Sequence, residues 1–518
     1  MSIPKFKNEP YTDWSKPTNR KKQEQAIAKL ESEFGKEYPN IIGGEKVYSN
    51  DKLNSLNPSN PSQVVGVFQK GTTDDANRAM EVALQKFEEW RWVPPAKRAA
   101  YLFKAAKIMR KRRFEINAAM ILEVGKTWPE ADADTAEAID FLEFYAREML
   151  RYANAKPAIQ LPGEKNELEY IPLGVGVVIP PWNFPMAILT GMTTAAVVAG
   201  NTVVLKPSSD SPLIGYKFME VMEEAKLPAG VINFVAGPGG AVGDTLVKHP
   251  KTRFIAFTGS KEVGIHINVE AAKVQPGQIW LKRVIAEMGG KDSIIVDSEA
   301  NLEDAAAGVT VSAFGFQGQK CSACSRAIID EKVYDKFVEM LKQKAESITI
   351  GPSKYLKNYM GPVINKGSLE KMLEYIKIGQ NEGGRLITGG DRAEGDGYFL
   401  KPTIIADVDP KATIAQEEIF GPVLAVIKAK NFEHALEIAN NTEYGLTGAI
   451  YSKNKKKLEL GKKKFFVGNL YINRKCTGAM VGAHPFGGFN MSGTDSKAGG
   501  QDYLLLFTQA KSIATKIK

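Results

Sequence analysis

The feature that most constrains this chain is an alternation that begins near residue 175. Short β-branched or aromatic runs, Val175–Ile179, Thr202–Leu205, Val231–Val235 and Arg253–Phe257, are separated by stretches of helical character. A parallel strand needs a crossover, and a helix supplies one, so this pattern predicts βαβ units in a doubly wound sheet. Each run is followed by glycine, proline or serine: Pro180-Pro181, Pro207, Gly237–Gly240 and Gly259-Ser260. Ligands in such sheets bind at the carboxyl ends of the strands. A second alternating region runs from Asp292–Val296 towards Leu470, with strands at Arg326–Ile329 and Val423–Ile427 and helices at Tyr334–Ile348 and Leu369–Glu382. It predicts a second α/β domain, and 518 residues are too many for one ordinary core.

Upstream, the pattern is helical. A surface helix is expected near Gln23–Phe34. Ala79, Met80, Ala83, Leu84 and Phe87 share one helical face, with Thr73 placed to cap. Pro94 and Pro95 break this helix from the next, near Ala96–Arg112, and acidic and apolar residues over Glu130–Leu150 predict another long one.

Several function classes drop out. No uninterrupted apolar run is long enough to span a membrane. Met1–Arg20 is polar, carries Pro4, Pro10 and Pro17, and lacks the apolar stretch of a secretory signal. Three cysteines, Cys321, Cys324 and Cys476, argue against a disulfide framework and for a reducing compartment, the cytoplasm. His249, His266, His434 and His484 form no helix-spaced ligand pair, so no metal site is expected. The net charge of +9 reads first as a lysine-rich solvated surface, and second as attraction of anionic ligands such as dinucleotide phosphates or carboxylates. The basic runs Lys455–Lys457 and Lys462–Lys464 lack interleaved stacking aromatics, so nucleic acid is not an expected partner.

Six short segments carry chemistry. In Phe316-Gln317-Gly318-Gln319-Lys320-Cys321 a cysteine follows a glycine turn and a lysine. Lys320 and nearby backbone N–H groups can provide the electropositive setting a thiolate needs; a packed, inert thiol is the other reading. Cys321 and Cys324 also form C-x-x-C, but without a thioredoxin-like setting. In Ala286-Glu287-Met288-Gly289-Gly290-Lys291 a glutamate sits beside two glycines, either as a buried general base or as an ordinary loop acid. Pro180-Pro181-Trp182-Asn183-Phe184-Pro185 places an amide at a strand end, where it can donate to an oxyanion or simply make a turn. Leu205-Lys206-Pro207-Ser208-Ser209, Phe257-Thr258-Gly259-Ser260 and Glu417-Glu418-Ile419-Phe420-Gly421-Pro422 complete the set. Small residues at the strand–helix junction of the second of these leave room for a pyrophosphate.

Together, these segments resemble the aldehyde dehydrogenase family and fall along the chain in that family's order, the match spanning roughly residues 40–510. The resemblance implies two doubly wound α/β domains with a small β oligomerisation flap. A Rossmann-like cofactor domain would take residues 1–155 and 173–286, a catalytic domain residues 287–486, and the flap and C-terminal tail residues 156–172 and 503–518. It implies an NAD- or NADP-dependent oxidation of an aldehyde to an acid. Cys321 matches the nucleophile, Asn183 the oxyanion donor and Glu287 the base that activates water for thioester hydrolysis. The cofactor positions are Ile179, Pro180, Trp182, Lys206, Ser208, Ser209, Phe257, Thr258, Gly259, Ser260, Gly264, Glu418 and Phe420. Many NAD-preferring members carry glutamate where this chain has Ser209; serine removes the repulsion of a 2′-phosphate, so both cofactors are expected.

A finer resemblance, to the 1-pyrroline-5-carboxylate dehydrogenases, lies in Gly315–Ala323, Asn469–Lys475 and Thr477–Gly482 followed by Pro485–Phe489. It implies oxidation of L-glutamate γ-semialdehyde to L-glutamate, the last step of proline degradation, by a monofunctional bacterial-type enzyme. Ser322, Gly478 and Ala479 would hold the substrate's carboxylate end, Lys320 would add charge there, and Phe184 and Phe486 would pack on its methylene stem. A homo-oligomer built on a dimer is implied too. Succinic semialdehyde is the alternative substrate, which an arginine-lined carboxylate pocket would favour and the Ser322 and Thr477–Gly482 pattern does not. A non-catalytic dinucleotide binder has no need of Cys321, Glu287 and Asn183 together, and retention of Glu287 argues against a CoA-acylating variant.

Overall fold

The computed structural model describes residues 4–154 and 156–517, with the backbone alone at Lys156 and Pro157. The expected domain and tail ranges also take in residues 1–3, 155 and 518, which lie outside the described residues. Two seven-stranded sheets dominate. In the first, five parallel strands lie in the order Arg283–Glu287, Phe254–Thr258, Val175–Ile179, Thr202–Leu205, Ile232–Phe234; two antiparallel strands, Asn40–Ile42 and Glu45–Val47, extend the far edge. The strand order reverses beside Val175–Ile179, which is the switch point of a doubly wound sheet. The second sheet orders Arg385–Thr388, Thr403–Ala406, Val423–Ala429, Cys324–Asp330, Asp292–Val296, Thr447–Tyr451 and Asn469–Ile472, all parallel except its first edge strand.

Strand periodicity explains why helices cover both faces. Val178, Leu205 and Ala256 point into one apolar cluster, while Val177, Val204 and Ile255 point into another on the opposite face. In the second sheet Ile294 and Ile404 face one way, Ile295 and Ile405 the other. Strands buried on both faces read as unbroken apolar runs, which is why these segments stand out in the sequence.

Element ends differ from the sequence reading where caps decide them. The first helix is Pro17–Glu31, begun by a proline in its first turn. The cap of the helix Thr73–Trp90 is Thr72, not Thr73: Thr72 is extended and forms a reciprocal capping box with Asp75. Pro94 and Pro95 do separate that helix from Pro95–Lys111, and the long helix runs Trp128–Tyr152.

Two smaller sheets flank the large ones. Asn60–Gln69 pairs with Lys52–Asn57 and Glu37–Tyr38, a sheet absent from the sequence reading because its longest strand carries Pro61 and Gly66 and its register is irregular. Glu164–Pro172 pairs antiparallel with the C-terminal strand Thr508–Lys516, and Lys156–Pro157 adds to its other edge. Among the described residues no helix is long and apolar enough to cross a membrane.

Candidate active site

Cys321 ends a contorted turn. Phe316, Gln317 and Gly318 have φ of 50°, 56° and 64°, three left-handed residues in succession, two of them bearing side chains. Such backbone is held only where its surroundings over-determine it. Here buried Gln317 donates through Nε2 to the carbonyls of Gly125 at 3.1 Å and Pro362 at 2.7 Å, and the Gln319 side chain accepts from the Ile364 N–H at 2.9 Å. A Cβ on Gly318 would lie 2.3 Å from the Gly421 carbonyl oxygen, so only glycine fits.

Two further groups converge on this turn. Asn183, just past the strand Val175–Ile179, is buried, and its Nδ2 donates to the Gln319 carbonyl at 3.1 Å. Glu287 closes the strand Arg283–Glu287 in register with Thr258. Its Oε1 accepts from the Ser496 hydroxyl and, at 3.4 Å, from the Ser496 N–H. Its Oε2 is buried and has no partner among the described residues. Burial pushes the Glu287 pKa up to about 7, which suits a base working near neutrality.

Of the electropositive setting expected for Cys321 only the backbone part is present, a hydrogen bond from the Ser322 N–H, and it is outweighed. Burial first, then the carboxylates of Asp292, Glu418 and Glu287, hold the thiol far above its ordinary pKa. Lys320 does not offset them, because its ammonium is paired with Glu130 at 2.9 Å. The resting sulfur is therefore protonated and needs a base at the moment of attack.

A cavity of about 1090 Å³ opens between the carboxyl ends of the two large sheets. Ile179, Pro180, Trp182, Lys206, Ser208, Ser209, Phe257, Thr258, Gly259, Ser260, Glu418 and Phe420 all line it, with Asn183 and Cys321. Gly264 does not; it sits within the helix Lys261–Ala272, where a Cβ would collide with the Met288 sulfur at 2.4 Å. Residues that the sequence reading did not assign to the cofactor also line the cavity, among them Gly239, Gly240, Asp244, His266, Lys371 and Tyr375. The glycine run after the strand Ile232–Phe234 was the available signal for the first two.

The predicted substrate residues lie outside that cavity, on segments that meet around the Cys321 turn. Phe184 stands edge-on to Phe316, centroids 6.5 Å apart. The buried Lys126 ammonium sits over both rings, at 4.0 and 4.1 Å, and 3.2 Å from buried Asp134. The Ser322 carbonyl accepts from the Cys476 thiol at 3.3 Å. Arg474 Nη2 donates to the carbonyls of Thr477 at 3.0 Å and Gly478 at 3.1 Å, while the N–H groups of Gly478 and Ala479 donate to no group among the described residues. Phe486 is fixed by a two-way backbone pair with Ala498. Glu137, missed in the sequence, lies among Asp134, Lys126 and Lys320, and burial pushes its pKa up to about 8. Nothing in the sequence pairs Glu287 with Ser496 or gathers these charges.

Residues 46–513, most of the chain, match the profile of the Aldehyde dehydrogenase family. The chain belongs to that family. It is 58% identical over 509 residues to 1-pyrroline-5-carboxylate dehydrogenase of Geobacillus sp. strain WCH70, covering 98% of this chain and 99% of that one. Among solved structures it is similar to 1-pyrroline-5-carboxylate dehydrogenase from Thermus with bound NAD, at 50% identity and a TM-score of 0.98 over the whole of both chains. A betaine aldehyde dehydrogenase from Staphylococcus aureus in complex with NAD+ gives 29% identity and a TM-score of 0.89 over 96% of this chain and 97% of that one. As an aldehyde dehydrogenase cavity, the space fits a dinucleotide. Buried Lys206, whose pKa is pulled down to about 8, donates to the Pro207 carbonyl at 3.1 Å and has further protons to offer a ribose. A Cβ on Gly239 or Gly240 would meet nothing within 4 Å. The helix Lys261–Ala272, capped by Ser260, turns its N-terminus to the cavity, where phosphates bind well.

Proposed function

We propose that this chain oxidises L-glutamate γ-semialdehyde, the open form of 1-pyrroline-5-carboxylate, to L-glutamate with NAD or NADP, in the last step of proline degradation. The observation that carries the reading is the 58% full-length identity to a relative named for that activity. The site gives each residue work to do. Asn183 Nδ2, which has a second proton beyond the one it gives the Gln319 carbonyl, and the Cys321 N–H would donate to the oxygen of an aldehyde on the Cys321 sulfur and stabilise its negative charge as the C–S bond forms. Glu287, with a pKa of about 7, takes the proton from the water that hydrolyses the thioester, while the thiol proton passes to solvent water as the sulfur attacks. The dinucleotide, when bound, supplies the acceptor for the hydride. Lys206, Ser208 and Ser209 would hold its adenosine end, Ser260 and the helix behind it the phosphates, and Glu418 and Phe420 the nicotinamide side.

The substrate's charged end is met by the open N–H groups of Gly478 and Ala479 and the Ser322 hydroxyl, with Phe184 and Phe486 against its stem. Glu137, among the charges of Asp134, Lys126 and Lys320, would give up the proton that burial makes it hold and pair as a carboxylate with the substrate's ammonium. The enzyme works in the cytoplasm and as a homo-oligomer built on a dimer; the exposed apolar side chains of Val263, Ile265 and Val269 on one helix and of Ile279 and Leu281 beyond it support an assembly. Steady-state assays with pyrroline-5-carboxylate, first with NAD and then with NADP, test the activity. Turnover no better than on simple aliphatic aldehydes would sink the substrate assignment.

A further inference from the structure

The segment before residue 46, which precedes the family match, reaches across the molecule to the loop Thr477–Gly482 at three points. Phe6 stands edge-on to Phe144 with centroids 5.2 Å apart and closes over Gly482, where a Cβ would lie 3.2 Å from its ring. Asn8 Nδ2 donates to the Val481 carbonyl at 3.0 Å and to Asp140 at 2.8 Å. The Tyr11 hydroxyl meets the Met480 sulfur at 3.5 Å. The segment is itself clamped to the helix Trp128–Tyr152: the Glu9 N–H donates to Asp140 at 2.6 Å, Thr12 donates through N–H and hydroxyl to Asp132, and Arg147 donates to the Pro4 carbonyl.

The loop needs such support. Gly478 and Gly482 have φ of 78° and 79°, so both ends turn at residues with wide conformational freedom. Arg474 fixes its first carbonyls; the second half is held by the His484 ring on the Met480 N–H, by the Ala483 and His484 N–H groups on the Met480 carbonyl, by burial of Val481, by the Gly482–Gly499 backbone bond and by the N-terminal segment. Backbone donors recognise a carboxylate well only when their direction is set beforehand.

We propose that Phe6, Asn8 and Tyr11 are positioning residues for substrate recognition: they fix the loop so that the Gly478 and Ala479 N–H groups present together to the α-carboxylate. This rests on the substrate reading above. It is tested by comparing glutamate semialdehyde with butanal, which has no carboxylate, in the wild type, in Asn8→Ala and in a chain lacking residues 2–11. The wild type alone decides the substrate reading: equal kcat/KM on both aldehydes overturns it, and this proposal with it. Given a wild-type preference, Asn8→Ala should raise KM for the semialdehyde about five- to tenfold, the loss of one directed hydrogen bond, with kcat and both butanal constants held within about twofold. The truncated chain should lose more of the preference. Parallel losses on both aldehydes, or an unchanged preference in the variants that fold, would overturn the assignment.

Discussion

Removing the Ser496 hydroxyl should move the ionisation of the proposed base. Glu287 Oε1 takes a short hydrogen bond from that hydroxyl and a longer one, at 3.4 Å, from the same residue's N–H. Both favour the ionised carboxylate against the burial that raises its pKa to about 7. A hydrogen bond to a charged group contributes about 1.5 kcal/mol, or about one pKa unit, so Ser496→Ala should bring Glu287 to about 8. The base form is lost as pH falls through the pKa, so raising the pKa lifts the acid limb of the profile to higher pH. At pH 7 the ionised fraction falls from about half to about a tenth, and thioester hydrolysis should slow about fivefold. The assay is kcat against pH with saturating substrate, beside a rapid-mixing measurement of reduced cofactor in the first turnover, where a burst marks hydrolysis as the slow step. Recovery of near-wild-type kcat at high pH is expected. An acid limb that stays in place, or a uniform loss at every pH, would refute the argument and leave Ser496 a merely structural contact.

Cys321→Ala should abolish oxidation while dinucleotide binding, followed by fluorescence titration, survives; residual turnover near the wild-type rate would remove the sulfur from its assigned role. Glu287→Ala should accumulate a thioester that mass spectrometry detects on Cys321 after one turnover. Ser209→Glu should raise KM for NADP by at least about tenfold and leave NAD nearly untouched, because a carboxylate there faces the 2′-phosphate. Lys126→Met should destabilise the fold by about 3–5 kcal/mol, since it leaves Asp134 buried without its cation, and pairing it with Asp134→Asn should recover much of the loss on thermal melting.

Much of the scaffold was legible because its physics is local. Strands buried on both faces read as apolar runs, and the small residues after them mark where ligands enter. The edge strand Glu45–Val47 and the irregular strand Asn60–Gln69 were not legible, because polar edges and Pro61 and Gly66 erase the pattern on which recognition depends. The Thr72 cap was misplaced by one residue, a distinction that depends on backbone angles rather than on composition. In the site, the residues that touch the cavity follow motifs. What those residues feel is set from far away: Lys320 is neutralised by Glu130, 190 positions distant, and Glu287 is held by Ser496, 209 positions distant. The charge around Cys321 is thus a property of the folded surface, and reading Lys320 as its activator fails for that reason.

Gly289 and Gly290 lie between two of the groups assigned here. The space where Gly289 would carry a Cβ is already taken by the Glu418 carboxylate, 2.1 Å from that point, and the corresponding space at Gly290 by the Cys321 carbonyl oxygen at 2.5 Å. The Gly290 N–H also donates to Glu418 at 2.9 Å. Neither glycine puts a side chain between the Glu418 carboxylate, which lines the cavity, and the backbone of the nucleophile. These two glycines let the acid and the nucleophile's backbone close on the same bare stretch of main chain, so a side chain at either position would have to displace one of them.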